Sequence, residues 1–348
     1  MPKSETKRHP LFSKRITATP SPLPYSRHGL IIFTGVSGHV GFRVLAEALS
    51  RGYKVRAVIR KPEQAQLIKT TESINSYLSR LEFYVLPDLF LPAAFDGTLQ
   101  GATEVIHVAC PLPRQSDNYE WDLIEPAINA TVGILKSAVK VPSIRRVAIT
   151  SSMAALHTWE YITSPDTTRV FTVRDSYIPP GPDTPFENAM QAYAASKASA
   201  FVAAERFIKE AKPTFNIFNI LPSMVIRKNE LNRTREEVVS GSNATAISVL
   251  LTTMSDMPAL GVSIHVNDVA KAHFDALNPA LAGHCNFLWS SGGLEGTTWE
   301  QAKEIVRKHF SEEVADGTLP LAGRLPIRLI RFEAQVKSVV GHYLDLSK

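Results

Sequence analysis

Two side chains set four apart carry the sharpest chemical signal in this chain of 348 residues: Tyr193 and Lys197, in Tyr-Ala-Ala-Ser-Lys. At i and i+4 of a helix the phenol and the ammonium share one face, a turn apart. The cation favours phenolate and pulls the Tyr pKa below its free value of about 10. That makes Tyr193 a proton donor and acceptor usable near neutral pH. Among nine tyrosines one such spacing arises easily by accident. A second hydroxyl gives it weight. Ser152, 41 residues earlier, follows the β-type run Arg146–Thr150 and can hydrogen-bond the same substrate carbonyl oxygen.

A second constellation lies near the start, in Thr34-Gly-Val-Ser-Gly-His-Val-Gly41. Leu30 to Phe33 before it form a continuous apolar run, which suits a parallel strand covered on both faces. After it Val40, Val44, Leu45, Ala48 and Leu49 recur at helical spacing, and Gly52 stands where a helix C-cap glycine belongs. Strand, glycines and helix offer a pyrophosphate the backbone N–H groups from Ser37 through His39 and Val40 and the positive end of a helix dipole. Gly35 permits the tight turn, Gly38 lets the backbone approach phosphate, and Gly41 lets the helix pack on the strand. An ordinary glycine-rich βα turn is the plainer reading, and the strand and helix on either side disfavour it.

The elements that must position these groups alternate. Strands are expected at 53–60, 82–86, 104–109, 146–150 and 216–221, with helices at 63–81, 120–140 and 188–212 and a Pro-rich loop at 163–185. This rhythm predicts an α/β protein with a doubly wound parallel sheet. Beyond Pro222 it loosens, and one strand-to-helix unit returns at Ser263–His273, capped near Asn267 or Asp268. The expected organisation is a tail over 1–28, a nucleotide-binding domain over 29–222 to which 262–280 return, and a smaller substrate lobe over 223–348.

Ligands of such sheets lie off the carboxyl ends of the strands. That rule selects the three glycines, Arg60, Asp88, Ala109, Ser151, Ser152 and Pro222. Arg60 stands where an acid would take the ribose 2′-hydroxyl of NAD. With Lys61 it would attract a 2′-phosphate instead, which favours NADP over NAD, unless the two are merely a solvated basic pair. Asp88 is placed to accept the adenine amino group with Leu89 against the ring, and reads equally as a turn or helix cap.

Charge excludes some classes. The net charge is +5, yet residues 1–28 hold six basic side chains against one acid, which leaves 32 of each sign over 29–348. A neutral body argues against a nucleic-acid surface. The basic tail reads as disordered, since it lacks a signal-peptide core and a clear amphipathic helix. No apolar run reaches membrane-spanning length. Cys110 and Cys285 lack partners at metal-ligand spacing, so no metal is expected and the thiols read as reduced and cytoplasmic.

Taken as an ordered set, Thr34–Gly41, His107-Val-Ala-Cys-Pro111, Asn129-Ala-Thr-Val-Gly133, Thr150-Ser-Ser152, Tyr193-x-x-x-Lys197 and His265-Val-Asn-Asp-Val-Ala270 resemble the extended short-chain dehydrogenase/reductases over about 29–280. The branch they are most similar to is the dihydroflavonol-4-reductase-like one, with its cinnamoyl-CoA and yeast methylglyoxal reductases. Arg60 and Phe95-Asp96 point the same way. The resemblance implies a Rossmann-type fold and a catalytic set of Ser152, Tyr193 and Lys197. In it Ser152 polarises the carbonyl, Tyr193 protonates the alkoxide, and Lys197 lowers the Tyr pKa and holds the nicotinamide ribose. It places Ala109 beside that ribose and Pro222 before the carboxamide site, and reads Asn129 as structural. The chain departs from the branch at Gln64, where a lysine is frequent, at Cys110 for Ser or Ala, and at Ser223 for Gly.

The function expected is NADPH-dependent reduction of a ketone or aldehyde on a small-to-medium apolar or aromatic compound, as in a ketoreductase of secondary metabolism, by a monomer or homodimer. Phe186, Met190, Met224, Val225, Met254 and Met257 supply the apolar pocket. The alternatives are a nucleotide-sugar epimerase or dehydratase holding NAD, for which Arg227 and Lys228 are the basic candidates, and a non-catalytic NADP sensor, against which the intact Ser–Tyr–Lys set argues.

Overall fold

A computed structural model describes residues 29–163, 172–173, 175, 178–181, 184–254, 262–291 and 299–324. The tail, most of the expected loop at 163–185, Met257 and the last 24 residues lie outside the described residues.

Leu30–Thr34 (β1) leads through the glycine turn into His39–Ser50 (α1), whose Phe42, Val44, Leu45, Ala48 and Leu49 are buried. Lys54–Ile59 (β2), Leu81–Val85 (β3), Glu104–His107 (β4), Arg146–Thr150 (β5) and Asn216–Pro222 (β6) follow. Between them run Pro62–Lys69 (α2), Glu125–Val139 (α3), Trp159–Thr163 (α4) and Ala189–Ala211 (α5). Met224–Ile226 (β7), Arg235–Val238 (α6), Gly241–Ser248 (α7), Ser263–His265 (β8), Val266–Ala276 (α8), Cys285–Trp289 (β9), Trp299–His309 (α9) and Ser311–Ala315 (α10) complete the chain.

Seven strands form one sheet in the order β3-β2-β1-β4-β5-β6-β9, and each pairing is parallel. Alternate strand residues enter two cores, as the period of two requires. Ile31, Phe33, Val55, Ala57, Ile106 and Ile220 pack with α1 and α8, whereas Ile32, Val58, Val105, Val147 and Ile217 pack with α3 and α5. The strand order reverses between β1 and β4, and a ligand cleft opens at the carboxyl ends of strands flanking such a point. This is the doubly wound Rossmann-type sheet the alternation predicted.

Local chemistry sets the element bounds. The expected helix 63–81 divides, because the Thr70 and Thr71 hydroxyls bond back to the carbonyls of Gln66 and Leu67, and Glu72–Arg80 continues as 3₁₀ turns. The expected helix 120–140 begins as a π turn, Glu120–Ile124, and Pro126 stands where that turn passes into α3. α5 is closed at both ends. Asn188 Oδ1 accepts from the N–H of Met190 and Gln191, each at 3.0 Å, and Lys212 turns the chain left-handed at φ 43°.

Past Pro222, two strands that the residue pattern did not reveal appear. β7 pairs with β8 in a small separate sheet, and β9 adds the seventh strand to the main one. The stretch returning to the nucleotide-binding side therefore runs on past 280 to Trp289. Ile226, Ile247, Leu250, Val306 and Leu319 form a separate core for the lobe, between β7, α7 and α9.

Candidate active site

Two glycines of the turn are required by close backbone contacts, and the third is not. Gly35 has φ +80°, and a Cβ on it would lie 2.6 Å from Ala109 N. At Gly41 a Cβ would lie 1.9 Å from Gly35 O, so α1 approaches the turn more closely than any side chain allows. Gly38 has ordinary extended torsions, φ −101° and ψ 167°, and a Cβ there would meet Gly35 O at an unremarkable 3.5 Å. Gly38 caps α1 without a side-chain bond, and the first turn carries no acid. The leading N–H groups of α1 and its positive end thus remain for an anion, and the cradle fits a dinucleotide pyrophosphate. His39, within that turn, is held neutral by burial, its pKa pushed down to about 4.

Gln64, the departure from the branch, has a position of its own. Its Oε1 accepts from the N–H of Arg60 at 2.8 Å and of Lys61 at 3.2 Å, while Nε2 donates to Ser37 Oγ at 2.8 Å. It joins the end of β2 to the glycine turn. The Arg60 and Lys61 side chains are exposed and make no ion pair among the described residues, which leaves both charges for a phosphate. Asp88 Oδ1 accepts from Phe90 N–H at 2.8 Å, an Asx turn, with its other oxygen uncommitted. Leu89 is 7% exposed and packs into the core with Ile32 and Val58, so it offers a ring no more than an edge. Ala109 lies directly under Gly35, tied to β1 by its N–H to Thr34 Oγ1 at 3.3 Å.

At the neighbouring strand ends stand the reactive hydroxyls. Ser152 caps a 3₁₀ turn, Met153–Ala155, and its Oγ accepts from Ala154 N–H at 3.2 Å, so its own hydrogen is left for an outside acceptor. Ser151 is buried, with its N–H held by Ile220 O at 2.8 Å. α5 packs its Phe201 against Ala155 and Leu156 of that turn, which brings the helix bearing Tyr193 alongside Ser152. Lys197 is 6% exposed; its ammonium sits 5.6 Å from the Tyr193 ring centre, and it lines one small cavity with Cys110. Burial opposes the Lys197 charge, but Cys110 and Tyr193 together outweigh it and raise its pKa.

One expectation is corrected here. Lys197 does pull the Tyr193 pKa down, but burial is the larger effect, and the phenol lies above its ordinary value rather than near neutrality. Tyr193 is therefore fully protonated at pH 7, as a proton donor to a nascent alkoxide must be.

Other residues fall outside this cluster. Asn129 is exposed on α3, as a structural residue there can be. His107 is fixed by the Thr34 hydroxyl at 2.8 Å rather than by backbone. His265 is the N-cap of α8, in place of Asn267 or Asp268, and its Nδ1 accepts from Asn267 N–H at 3.2 Å. Pro222 ends β6, next to Ser223, whose N–H donates to Trp289 O at 2.9 Å. The apolar set does not converge as a whole. Val225 packs with Ile264 and Val40, and Met224 joins the lobe core, whereas Phe186 meets the Tyr119 ring edge-on at 5.9 Å and Met190 is 53% exposed. Arg227, offered for a nucleotide sugar, gives its guanidinium to Asn267 Oδ1. Cys110 beside Lys197 was not expected; its place three residues after the end of β4, where Ser or Ala is usual, was the available signal.

Fold and site together define a dinucleotide-dependent oxidoreductase. The chain belongs to the NAD dependent epimerase/dehydratase family, which its residues 31–285 match. It is 32% identical over 342 residues to the ketoreductase CTB6 of Cercospora nicotianae, covering 91% of this chain and 95% of that protein. It is 30% identical over 259 residues to the cinnamoyl-CoA reductase CAD2 of Medicago truncatula, covering 74% and 75%. Its fold matches that of yeast methylglyoxal/isovaleraldehyde reductase Gre2 complexed with NADPH, with a TM-score of 0.75, 24% identity and coverage of 91% and 99%. These relatives accord with the dihydroflavonol-4-reductase-like branch. Among the described residues no helix is long and apolar enough to cross a membrane, and no three His, Cys, Asp or Glu side chains are grouped to hold a metal.

Proposed function

We propose that this chain reduces a ketone or aldehyde with NADPH, with Ser152, Tyr193 and Lys197 at the reacting carbonyl. The observation that carries the reading is the pairing of a buried Lys197 with a protonated Tyr193, on a helix packed against the turn that Ser152 caps. When bound, NADPH supplies the hydride that reduces the carbonyl carbon. Ser152 Oγ–H, with no acceptor among the described residues, donates to the carbonyl oxygen and holds it in place. Tyr193 Oη–H gives its proton to that oxygen as charge develops, and Lys197 stabilises the phenolate left behind. The Gly35–Gly41 turn and the end of α1 hold the pyrophosphate. Arg60 and Lys61 hold the 2′-phosphate, Asp88 the adenine amino group, and Ala109 and Pro222 flank the nicotinamide end.

The substrate is read as a small-to-medium apolar or aromatic carbonyl compound, in keeping with the ketoreductase and cinnamoyl-CoA reductase names of the relatives. The lobe of β7, α7, β8 and α9 would cover it. A nucleotide sugar fits less well because Arg227 is engaged with Asn267. The test is a screen of ketones and aldehydes followed by NADPH absorbance, with Tyr193→Phe alongside. Turnover by the wild type and its loss of about a thousandfold or more in Tyr193→Phe, with NADPH still bound, is expected. Full turnover by Tyr193→Phe would refute the assignment.

A further inference from the structure

Next to Lys197 lies a cavity of about 20 Å³, whose walls include His107, Thr150, Lys197 and Asn219. Holding one water takes roughly 10–15 Å³ and two to four polar partners. His107 is 2% exposed, and its Nε2 has no hydrogen-bond partner among the described residues. A buried polar atom without a partner calls for an explanation.

The neighbours of His107 fix where its hydrogen sits. Thr34 Oγ1 accepts from Ala109 N–H at 3.3 Å and lies 2.8 Å from His107 Nδ1. The Thr34 hydroxyl hydrogen goes to Nδ1, so Nε2 carries the imidazole hydrogen and is a donor. Burial pushes the His107 pKa down to about 3, which keeps the ring neutral. The Thr150 hydroxyl faces the other side of the sheet, toward α8, where it lies 2.6 Å from His273 Nε2. One acceptor answers His107 Nε2–H across the cavity. Asn219 gives Nδ2–H to Asn286 Oδ1 at 2.8 Å, and its Oδ1 remains an acceptor.

We propose that this cavity holds one ordered water that accepts from His107 Nε2–H and Lys197 Nζ–H and donates to Asn219 Oδ1. His107 is thereby a positioning residue for Lys197. Three polar partners lie within the two to four that a buried water takes, and His107 Nε2 is no longer left without one. The Lys197 ammonium then has the water beside it together with Tyr193 and Cys110, and His107 is the remaining titratable group facing it. The positioning role rests on the catalytic reading of Lys197 given above; the water site stands on geometry alone.

A high-resolution crystal structure of the chain separates the two. Density for a water about 3 Å from both His107 Nε2 and Lys197 Nζ is expected; a dry cavity overturns the proposal. In solution His107→Leu removes the donor and His107→Gln restores an N–H. His107→Leu should lower kcat by between tenfold and a hundredfold, on the order of what a small misplacement costs. It should also move the alkaline limb of the kcat/KM profile upward, since a displaced Lys197 lowers the Tyr193 pKa less, and His107→Gln should recover both. A His107→Leu enzyme with the wild-type profile overturns the positioning role. Should that variant not fold, the crystallographic water decides by itself. Full turnover by Tyr193→Phe would strike the catalytic reading and leave the water test intact.

Discussion

Adding one methyl group at Gly38 and one at Gly41 should give opposite results, although the two glycines stand three residues apart in one turn. At Gly41 the added carbon would sit 1.9 Å from Gly35 O and 2.6 Å from Gly35 C, both backbone atoms that no rotamer change can move. Restoring ordinary contact requires α1 to withdraw by about 1.5 Å, and its Phe42, Val44, Leu45 and Leu49 are at most 1% exposed, so the withdrawal unpacks a filled core. A cost of about 1–3 kcal/mol or more follows. At Gly38 the same methyl meets one atom at 3.5 Å, on torsions that alanine adopts freely. Alanine is a poorer N-cap than glycine by a few tenths of a kcal/mol, and it lowers the unfolded-chain entropy by about 0.4–1 kcal/mol, so the two roughly cancel. Stability should stay level while a phosphate can no longer reach the α1 N–H groups. Losing one charge-assisted hydrogen bond, worth about 1.5–3 kcal/mol, weakens NADPH binding by roughly tenfold to a hundredfold. Thermal unfolding and fluorescence titration with NADPH read the two effects. Wild-type NADPH affinity in Gly38→Ala, or wild-type melting in Gly41→Ala, would refute the division of labour.

Further outcomes follow from the same site. Arg60→Ala should raise KM for NADPH by roughly tenfold while leaving NADH kinetics unchanged, the lower end of a charge-assisted bond because Arg60 is exposed; an unaltered NADPH-to-NADH ratio of kcat/KM removes Arg60 from the 2′-phosphate. Because the Tyr193 pKa is raised by burial, carbonyl reduction should hold steady through neutral pH and fall at alkaline pH, where the proton donor is lost; a fall beginning below pH 7 would contradict this. The half-buried His39 and the buried His107 and His273 are held neutral by desolvation, with pKa values near 4, 3 and 4 against 6.5 unfolded. The folded form binds fewer protons than the unfolded chain, so the stability these groups allow is complete above pH 6.5 and is lost as pH falls toward 4, by about 1.4 kcal/mol per pH unit for each. Melting temperature should drop steeply from pH 6.5 downward, and a flat profile between pH 7 and 5 would contradict that burial.

Where a rule of spacing or side-chain chemistry operated, the sequence was a good guide. The apolar runs of β1 and β5, the glycine turn and the Tyr193–Lys197 spacing each depend on local pattern, and each stands where that pattern put it. β9 was hidden because it is a half-buried edge strand whose Asn286 serves an amide pair with Asn219 rather than an apolar face. β7 is three residues long, below the length at which alternation can be seen. The Tyr193 pKa was misjudged because the sequence shows the lysine but not the depth of burial around the phenol. Gln64 read only as a departure from the branch, and its bond to Ser37 depends on α2 meeting the glycine turn 27 residues earlier. Cys110 stood out in the sequence only as a departure from Ser or Ala, and the fold alone brings it to the cavity that Lys197 lines.

The seventh strand has a bearing on synthesis. β6 finds its outer neighbour in β9, Asn219 opposite Asn286, and α1 finds part of its cover in Ala270, Phe274 and Leu277 on or next to α8. A growing chain that has reached Pro222 holds the whole pyrophosphate turn and the Tyr193 helix, yet it still presents an open sheet edge and an uncovered apolar face. Long-range pairing of this kind is slow, and exposed edges invite association. The ribosome must deliver roughly 70 further residues, several seconds of elongation, before the nucleotide-binding half can close. Through that interval the emerging chain is a natural client for chaperones. Variants that weaken β9 should then lower the yield of folded enzyme in the cell, while the molecules that do mature keep their turnover.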